Sequence, residues 1–285
     1  MASAGTHAPS QPRTPRSLPS RHVLGMRVDE IDPVQAAETI ATWAGEAHAD
    51  LRRPARMVCA ANVHMTMEAH DDAAFRRVVN GADLVLPDGV PMVWALRLLG
   101  RRRAQRVRVS PDLLLSLFEL GERRAFSIGL YGGTDETLAA FTAFLRSHYP
   151  ALRCVWAVAP PFRPPTAVED EQTVEAVKSA GVQLLLVGIG CPKQERWIAA
   201  HRSRLSCTMM GVGAAFDLLG GKTREAPVWM QRAGLEWLFR LLLEPRRLWR
   251  RHLKHNPRFV FLFGGQALAA RFGGRAREDG RRGKD

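Results

Sequence analysis

Long apolar runs are missing from this 285-residue sequence. No stretch reaches the ~18–20 apolar residues that a helix needs to cross a bilayer. The arginines near the N-terminus are not followed by the apolar segment of a secretory signal. We therefore predict a cytoplasmic protein.

Cysteine is also scarce, with four residues and no Cys-x-x-Cys pair. Cys59, Cys154 and Cys207 lie in or beside apolar runs, and the fourth is Cys191. Scattered cysteines of this kind are typical of buried free thiols in a reducing compartment. We do not expect disulfides or a zinc site.

Several nucleotide and metal motifs are absent. Gly188–Lys193 and Gly211–Phe216 each lack the final glycine of Gly-x-Gly-x-x-Gly, and no acid stands at the usual ribose position. There is no Walker loop and no Asp-x-Asp pair for a metal. These absences weaken the interpretation of the chain as a dehydrogenase. They also predict that the protein uses neither a cofactor nor a metal. If a diphosphate is the leaving group of a reaction at this protein, cationic side chains and helix dipoles must neutralise its charge.

Net charge is +13, and it is concentrated at the ends of the chain. Residues 1–22 carry three arginines and no acid, and residues 222–285 carry sixteen Lys/Arg against six Asp/Glu. The stretch between them is therefore neutral. A neutral body with a basic tail indicates an anionic partner met by one end. No nucleic-acid-binding module is recognisable, so nucleic acid is not expected.

Strand and helix patterns alternate through the body of the chain, which predicts an α/β fold with a mostly parallel sheet. Residues 1–22 are predicted to be a disordered leader and 23–221 the catalytic domain. Residues 222–262 are predicted to form a basic helical appendage, and 263–285 a flexible basic tail. Strands are expected at 57–61, 84–86, 126–131, 152–158, 182–187 and 207–210, and helices at 33–49, 66–80, 90–99, 111–121, 134–149, 168–180 and 192–202.

Asp88 follows the short apolar strand 84–86. Pro87 ends that strand because proline cannot donate to a sheet ladder, and Gly89 allows a turn. Ligands of open α/β sheets bind at the carboxyl ends of the strands. A carboxylate there can act as a general base for a hydroxyl group. The alternative is a turn aspartate that bonds its own backbone.

Other strands also end in glycine or polar turns, at Asn62, Gly132-Gly133, 188–190 and 211–213. Their backbone N–H groups and the helix N-termini that follow would line a crevice suited to phosphate.

The tail contains a helical pattern over 245–255. Arg247, Arg251 and Lys254 share one face with Arg250 beside them, while Leu248, Trp249 and Leu253 spread over the other. A basic amphipathic helix of this kind lies readily on an anionic membrane. The alternative is a solvated helix that packs on the domain by its apolar side.

Taken together, these motifs resemble the WecG/TagA/CpsF family of bacterial glycosyltransferases (family 26) over about residues 23–261. The resemblance is carried by Asn62, Ala82-Asp83-Leu84-Val85-Leu86-Pro87-Asp88-Gly89, Tyr131-Gly132-Gly133, Gly188-Ile189-Gly190-Cys191-Pro192-Lys193-Gln194-Glu195, Gly211-Val212-Gly213-Ala214-Ala215-Phe216-Asp217, and Gly234-Leu235-Glu236-Trp237-Leu238-Phe239-Arg240 with Glu244-Pro245-Arg246-Arg247.

The resemblance implies a Rossmann-like sheet with helices on both faces. It also implies a metal-independent, inverting transfer of a sugar such as N-acetylmannosamine from a UDP-sugar to a polyprenyl-diphosphate-linked saccharide. The reaction would serve exopolysaccharide, teichoic acid or common antigen synthesis at the inner face of the membrane. The protein would be peripherally bound there by its C-terminal appendage, and a homo-oligomer is compatible with the resemblance.

The resemblance also implies roles for individual residues, with Asp88 as the base and Asn62 holding sugar or acceptor hydroxyls. Lys193 would meet phosphate, Gln194 and Glu195 would contact substrate, and Gly132 and Gly133 would let the backbone approach the nucleotide. The departing UDP would be stabilised by Arg240, Arg247 and Arg250. Asp217 would bind ribose or sugar, or only cap its own turn.

Two positions depart from the family pattern. Ala60 stands where threonine is frequent, and Ser110-Pro111 stand before Asp112 where a glycine is usual. Both departures could alter the donor or acceptor pocket that we expect Asp112 to line. His64 and His70 are interpreted as structural rather than catalytic. Two other functions stay open: a non-catalytic module that binds lipid or polyanions, and a nucleotide-dependent dehydrogenase.

Overall fold

The computed structural model describes residues 18–46 and 54–282 of the chain. Its strands are β1 (Ser20–Val23), β2 (Met26–Asp29), β3 (Met57–Ala61), β4 (Leu84–Pro87), β5 (Ser127–Gly132), β6 (Arg153–Val158), β7 (Leu184–Gly188) and β8 (Thr208–Gly211). Its helices are α1 (Pro33–Glu46), α2 (Val63–Asp71), α3 (Ala73–Asn80), α4 (Val90–Leu98), α5 (Leu114–Arg124), α6 (Asp135–His148), α7 (Ala167–Ser179), α8 (Lys193–His201), α9 (Ala215–Leu219), α10 (Val228–Arg232), α11 (Glu236–Leu243) and α12 (Pro245–Arg282). An irregular turn, Val109–Leu113, precedes α5.

Six strands form a parallel sheet in the order β4-β3-β8-β7-β5-β6. Alternate residues of β3 enter two separate apolar cores, with Met57 and Cys59 in one and Val58 in the other. The sheet is therefore covered on both faces, as the unbroken apolar strand β7 indicates. The predicted α/β, Rossmann-like class is confirmed.

The first two strands form an antiparallel hairpin at residues that the sequence analysis placed partly in the leader. The turn is made by Leu24 and Gly25, and the hairpin buries Val23 and Met26 in the core. Asp29 then accepts a hydrogen bond from the backbone N–H of Val85, at 2.8 Å, on the edge strand β4. The predicted disorder is thus wrong for residues 20–22, because a few buried side chains anchor them; residues 1–17 lie outside the described part of the chain.

The helix predicted over 66–80 is two helices, α2 and α3. The break comes at Asp72, whose carboxylate accepts from the backbone N–H groups of Ala74 (2.8 Å) and Phe75 (2.9 Å) and so caps α3. The first predicted helix is found over Pro33–Glu46, and its last predicted residues, 47–49, lie outside the described residues.

The appendage ends in one long helix rather than in a short helix and a flexible tail. Helix α12 continues past residue 255 because Phe259 and Phe263 are buried against the core. Beyond them, the Gln266 amide donates to the carbonyl oxygen of His22 (2.6 Å) and accepts from the backbone N–H of Leu24 (2.9 Å). These contacts outweigh the break that Pro257 suggests in the sequence. Residues 283–285 of the predicted tail are not described.

The apolar side of α12 is divided between the core and solvent. Leu248 is buried, whereas Trp249 and Leu253 are exposed. Among the described residues, no helix combines the length and the apolar character that a membrane span requires.

Candidate active site

Asp88 lies at the carboxyl end of β4, where two neighbouring segments hold it. Its backbone N–H donates to the carbonyl oxygen of Ala61 at the end of β3 (3.1 Å). Its carboxylate Oδ1 accepts from the backbone N–H of Val109 (2.8 Å), and its carbonyl oxygen accepts from Arg106 Nε (2.6 Å). Because the carboxylate is bound by a segment far along the chain, the local-turn interpretation is wrong. Oδ2 accepts no hydrogen bond from the described residues and remains for a ligand.

Burial raises the pKa of Asp88 above its usual value. The hydrogen bond from Val109 and the positive charges of Arg106 and Arg240 act in the opposite direction, and the negative charge of Glu236 adds to the rise. The carboxylate is thus more basic than an ordinary aspartate, which suits a group that must accept a proton.

Asn62 immediately precedes α2, beside the Asp88 loop. Its side-chain oxygen accepts from the backbone N–H of Met65 (3.1 Å), which caps the helix. A Cβ placed on Gly89 would lie 3.5 Å from the Cα of Asn62, so the two turns are in contact. The amide nitrogen of Asn62 has no hydrogen-bond partner within residues 18–46 and 54–282, and it is available to a sugar hydroxyl.

The C-terminal appendage is attached to this site by a cluster of ion pairs. Glu236, at the start of α11, pairs with Arg106 and, at 3.0 Å, with Arg108. Arg108 also pairs with Glu225, before α10, at 2.5 Å. Gly234 packs so closely on Val90 that a Cβ would lie 3.0 Å from a Val90 methyl group. The appendage therefore touches the turn that carries Asp88.

Of the three tail arginines implied by the resemblance, Arg240 is brought near Asp88. It lies one helical turn after Glu236, it is exposed, and its charge lowers the pKa of Asp88. Arg250 is exposed on α12, with its guanidinium 5.3 Å from the ring centre of Trp249. The Arg247 side chain lies outside the described part of the structure.

The loop after β7 leads into α8, where Lys193 is exposed at the first helical position. Gln194 is buried, and its side-chain oxygen accepts from the backbone N–H groups of Gly190 (3.2 Å) and Gly213 (3.1 Å). Gln194 therefore joins the loops after β7 and β8. The substrate contact that the resemblance implies for Gln194 stays a prediction.

Glu195 is fully buried, and its Oε1 accepts from the Gln194 amide at 2.7 Å. Burial raises the pKa of its carboxyl group. Glu195 has no exposed surface in this structure, and the substrate contact that the resemblance implies for it stays a prediction.

The two glycines after β5 have different surroundings. Gly132, at φ +137°, comes so close to Gly188 that a Cβ would lie 2.4 Å from the Gly188 carbonyl oxygen. Gly133, at φ +71°, faces Thr137. Gly132 is required by the approach of neighbouring strand ends, whereas Gly133 keeps a left-handed turn open at the start of α6.

The two remaining acids both have protein partners. Asp217 Oδ1 accepts from the Thr137 hydroxyl group (3.1 Å), which joins α9 to the first turn of α6. Asp112 is exposed, and its carboxylate lies 3.3 Å from Arg108 Nη1. It is therefore linked through Arg108 to the appendage.

Sequence reasoning assigned no role to Arg106, Arg108 or Glu236, although they connect the appendage to Asp88. A signal was present, because Arg106 and Arg108 flank the buried Val107 in strand-like alternation. The backbone N–H of Val107 donates to the carbonyl oxygen of Pro87 (3.0 Å), which sets both arginines beside the site.

Comparison with known proteins identifies one family and relatives that share one name. The sequence model of the glycosyl transferase WecG/TagA/CpsF family matches residues 21–273 of this chain. An N-acetylglucosaminyldiphosphoundecaprenol N-acetyl-β-D-mannosaminyltransferase of Staphylococcus aureus is 28% identical over 243 residues, which cover 84% of this chain and 90% of the relative. A protein of the same name from Bacillus spizizenii is 26% identical over 204 residues, covering 71% of this chain and 76% of the relative.

Proposed function

Because the chain belongs to the WecG/TagA/CpsF family of glycosyltransferases, we propose that it transfers an N-acetylmannosamine-type sugar from a UDP-sugar to a polyprenyl-diphosphate-linked saccharide. The names of the relatives support this acceptor, since those enzymes act on N-acetylglucosaminyldiphosphoundecaprenol. Family membership also decides against the dehydrogenase and the non-catalytic module. The product would enter a cell-surface polysaccharide.

The observation that carries the proposal is the free carboxylate oxygen of Asp88 in a site of raised pKa. Val109 fixes Oδ1, so Oδ2 takes the proton of the acceptor hydroxyl group. The acceptor oxygen forms a bond to the anomeric carbon as the bond from that carbon to the UDP oxygen breaks. A single displacement of this kind inverts the anomeric centre and needs one base.

Negative charge develops on the departing diphosphate. Arg240 belongs to the appendage, and its positive charge lowers the pKa of Asp88. Lys193 is exposed at the start of α8. A guanidinium group offers a fork of donors to phosphate oxygens, and a helix N-terminus adds a partial positive charge. These groups take the place of a divalent metal in the proposed reaction. Adding Mg²⁺ or Mn²⁺ should therefore not accelerate transfer.

Membrane contact belongs to the same proposal. Helices α11 and α12 expose large apolar side chains, among them Leu242, Leu253 and Phe261. An apolar groove of about 270 Å³ lies between them, lined in part by Trp237 and Trp249. The basic tail would attract the anionic inner face of the membrane while these side chains enter it, bringing the lipid-linked acceptor to Asp88.

Incubation of the full chain with a panel of UDP-sugars and a short-chain polyprenyl-diphosphate N-acetylglucosamine tests the function. Mass spectrometry should detect an acceptor extended by one N-acetylhexosamine residue with UDP-N-acetylmannosamine. The control is Asp88→Asn, which keeps the shape of the side chain and removes the base. Product formation by that variant at the wild-type rate would overturn the role of Asp88. Absence of product with every donor would overturn the proposed reaction.

A further inference from the structure

Two imidazole rings and one carboxylate meet where α12 crosses α2. His64 and Glu68 are four residues apart on α2 and therefore lie on the same side of that helix. His255 enters from α12 and is buried, with 3% of its surface exposed. One ligand atom from each of the three side chains lies within 4.8 Å of the others.

The ligand atoms are spaced at, or somewhat above, the separation expected around a tetrahedral zinc ion. His255 Nε2 is 3.4 Å from Glu68 Oε1, and His64 Nδ1 is 3.8 Å from the same oxygen. Nitrogen and oxygen ligands about 2.1 Å from zinc in a tetrahedron are about 3.4 Å apart. An ordinary N–H···O hydrogen bond is shorter, at about 2.9–3.0 Å. The spacing of the three groups thus suits an ion held between them.

The surroundings orient these groups for metal binding. The other ring nitrogen of His64, Nε2, is 3.4 Å from the carbonyl oxygen of Cys191. Metal-bound histidines commonly direct their second nitrogen to such a carbonyl group, which fixes the tautomer.

Two charged neighbours of the cluster, Arg258 and Asp71, form an ion pair with each other. Arg258, on the next turn of α12, forms two hydrogen bonds with Asp71 of α2, at 2.7 and 2.8 Å. This ion pair links α12 to α2 one helical turn away from the cluster. It therefore helps to hold His64, Glu68 and His255 close together where the two helices cross.

We propose that His64, Glu68 and His255 bind Zn²⁺, with a water molecule in the fourth position, and that the ion fastens α12 to α2. Two imidazoles and a carboxylate are a ligand set that zinc and neighbouring divalent ions prefer. Because Asn62 caps the start of α2 and α12 follows the helix that carries Arg240, the ion would hold the appendage against the site. The proposal concerns attachment of the appendage, so it stands apart from the transfer chemistry assigned to Asp88.

Metal binding is tested with tag-free, metal-stripped full-length protein dialysed against ZnCl₂. Elemental analysis should find one zinc per chain, and Zn²⁺ should raise the melting temperature. Glu68→Gln and His255→Gln should each weaken binding at least a hundredfold. The matched control is His70→Gln, a histidine of the same helix outside the cluster, which should bind zinc like the wild type.

Two further measurements use the wild-type protein, so they hold even if a variant fails to fold. Bound Co²⁺ should give the visible absorption of a four-coordinate ion, and Zn²⁺ should slow hydrogen exchange in α12. Wild-type protein that retains no zinc, or variants that bind it equally well, would overturn the site. Zinc binding without slower exchange in α12 would overturn its fastening role.

Discussion

In the proposed reaction Asp88 meets two conflicting requirements, since burial disfavours its charge while a base must carry that charge to accept a proton. We expect transfer to decline as the pH falls through a pKa above the usual value for aspartate, because the protonated carboxyl group cannot accept the hydroxyl proton. The pH profile of kcat/KM measures this value. An acid limb at or below the pKa of an unperturbed aspartate would contradict the assignment.

The same conflict predicts the stability of Asp88→Asn. The folded state binds the Asp88 proton more tightly than the unfolded chain does, so ionised Asp88 lowers stability above its folded pKa. The neutral amide removes this cost. We expect a higher melting temperature than wild type at pH 8, a difference that disappears at acid pH, and a loss of transfer of about 10³-fold. Thermal melts and rate assays across pH would test these expectations.

Gly132 is required for a reason that its neighbour does not share. Gly132→Ala should destabilise the protein by about 3 kcal/mol or more, because its Cβ would lie 2.4 Å from the Gly188 carbonyl oxygen at a φ that favours glycine. Gly181→Ala is the matched control. Gly181 also has a positive φ, but no atom lies within 4 Å of the added Cβ, and the cost should be about 1–2 kcal/mol. Equal costs in denaturant melts would refute the steric argument.

At the level of helices and strands, α11 depends on the ion pairs of Glu236. Glu236→Ala leaves Arg106 and Arg108 without this carboxylate and releases the start of the helix that carries Arg240. We expect transfer to fall by about tenfold, mainly in kcat, because in the proposed reaction Arg240 would stabilise the charge that develops in the transition state. Initial-rate kinetics would measure the change.

Glu225→Ala provides the comparison for Glu236→Ala. Glu225 pairs with Arg108 but is more exposed, with 44% of its side chain accessible against 17% for Glu236. Exposed ion pairs contribute little, so we expect transfer close to wild type. A loss in Glu225→Ala as large as in Glu236→Ala would show that general charge, not attachment of α11, determines the rate.

The sheet could be predicted from sequence because its strands are apolar runs that end in glycine, proline or polar turns, as β4 does before Asp88. The position of Asp88 at a strand end followed from the same pattern. The burial of Gln194 and Glu195 could not be predicted, since a polar residue after a glycine loop looks the same in sequence whether its side chain turns outward or inward. Its direction depends on the backbone groups of Gly190 and Gly213, which only folding brings near.

The extent of α12 was unpredictable for a related reason. Asn256-Pro257 and Gly264-Gly265 are local signals for a break, but Phe259 and Phe263 gain burial against residues distant in the chain. A glycine or a proline inside a helix costs about 1–3 kcal/mol relative to alanine. Burial of the two phenylalanine side chains against the core offsets this cost.

For the protein as a whole, the exposed leucines of the appendage provide a test of membrane binding. Leu242→Ser with Leu253→Ser should reduce cosedimentation with phosphatidylglycerol vesicles by about tenfold per leucine, because each side chain loses its transfer into the acyl region. The control is Phe162→Ser, which removes an exposed aromatic ring after β6, at the opposite edge of the sheet from β4. Equal loss in the control would contradict docking by the appendage.

The hydrogen bonds between Gln266 and residues 22 and 24 join segments that lie 244 and 242 residues apart in the chain, so one segment is synthesised well before the other. The sheet and Asp88 leave the ribosome long before α11 and α12 do, and domains fold as their residues emerge. A nascent chain would thus hold Asp88 in place before it gains Arg240 and the apolar helices. The proposed transfer would begin only after α11 and α12 have been made and Gln266 has reached the hairpin.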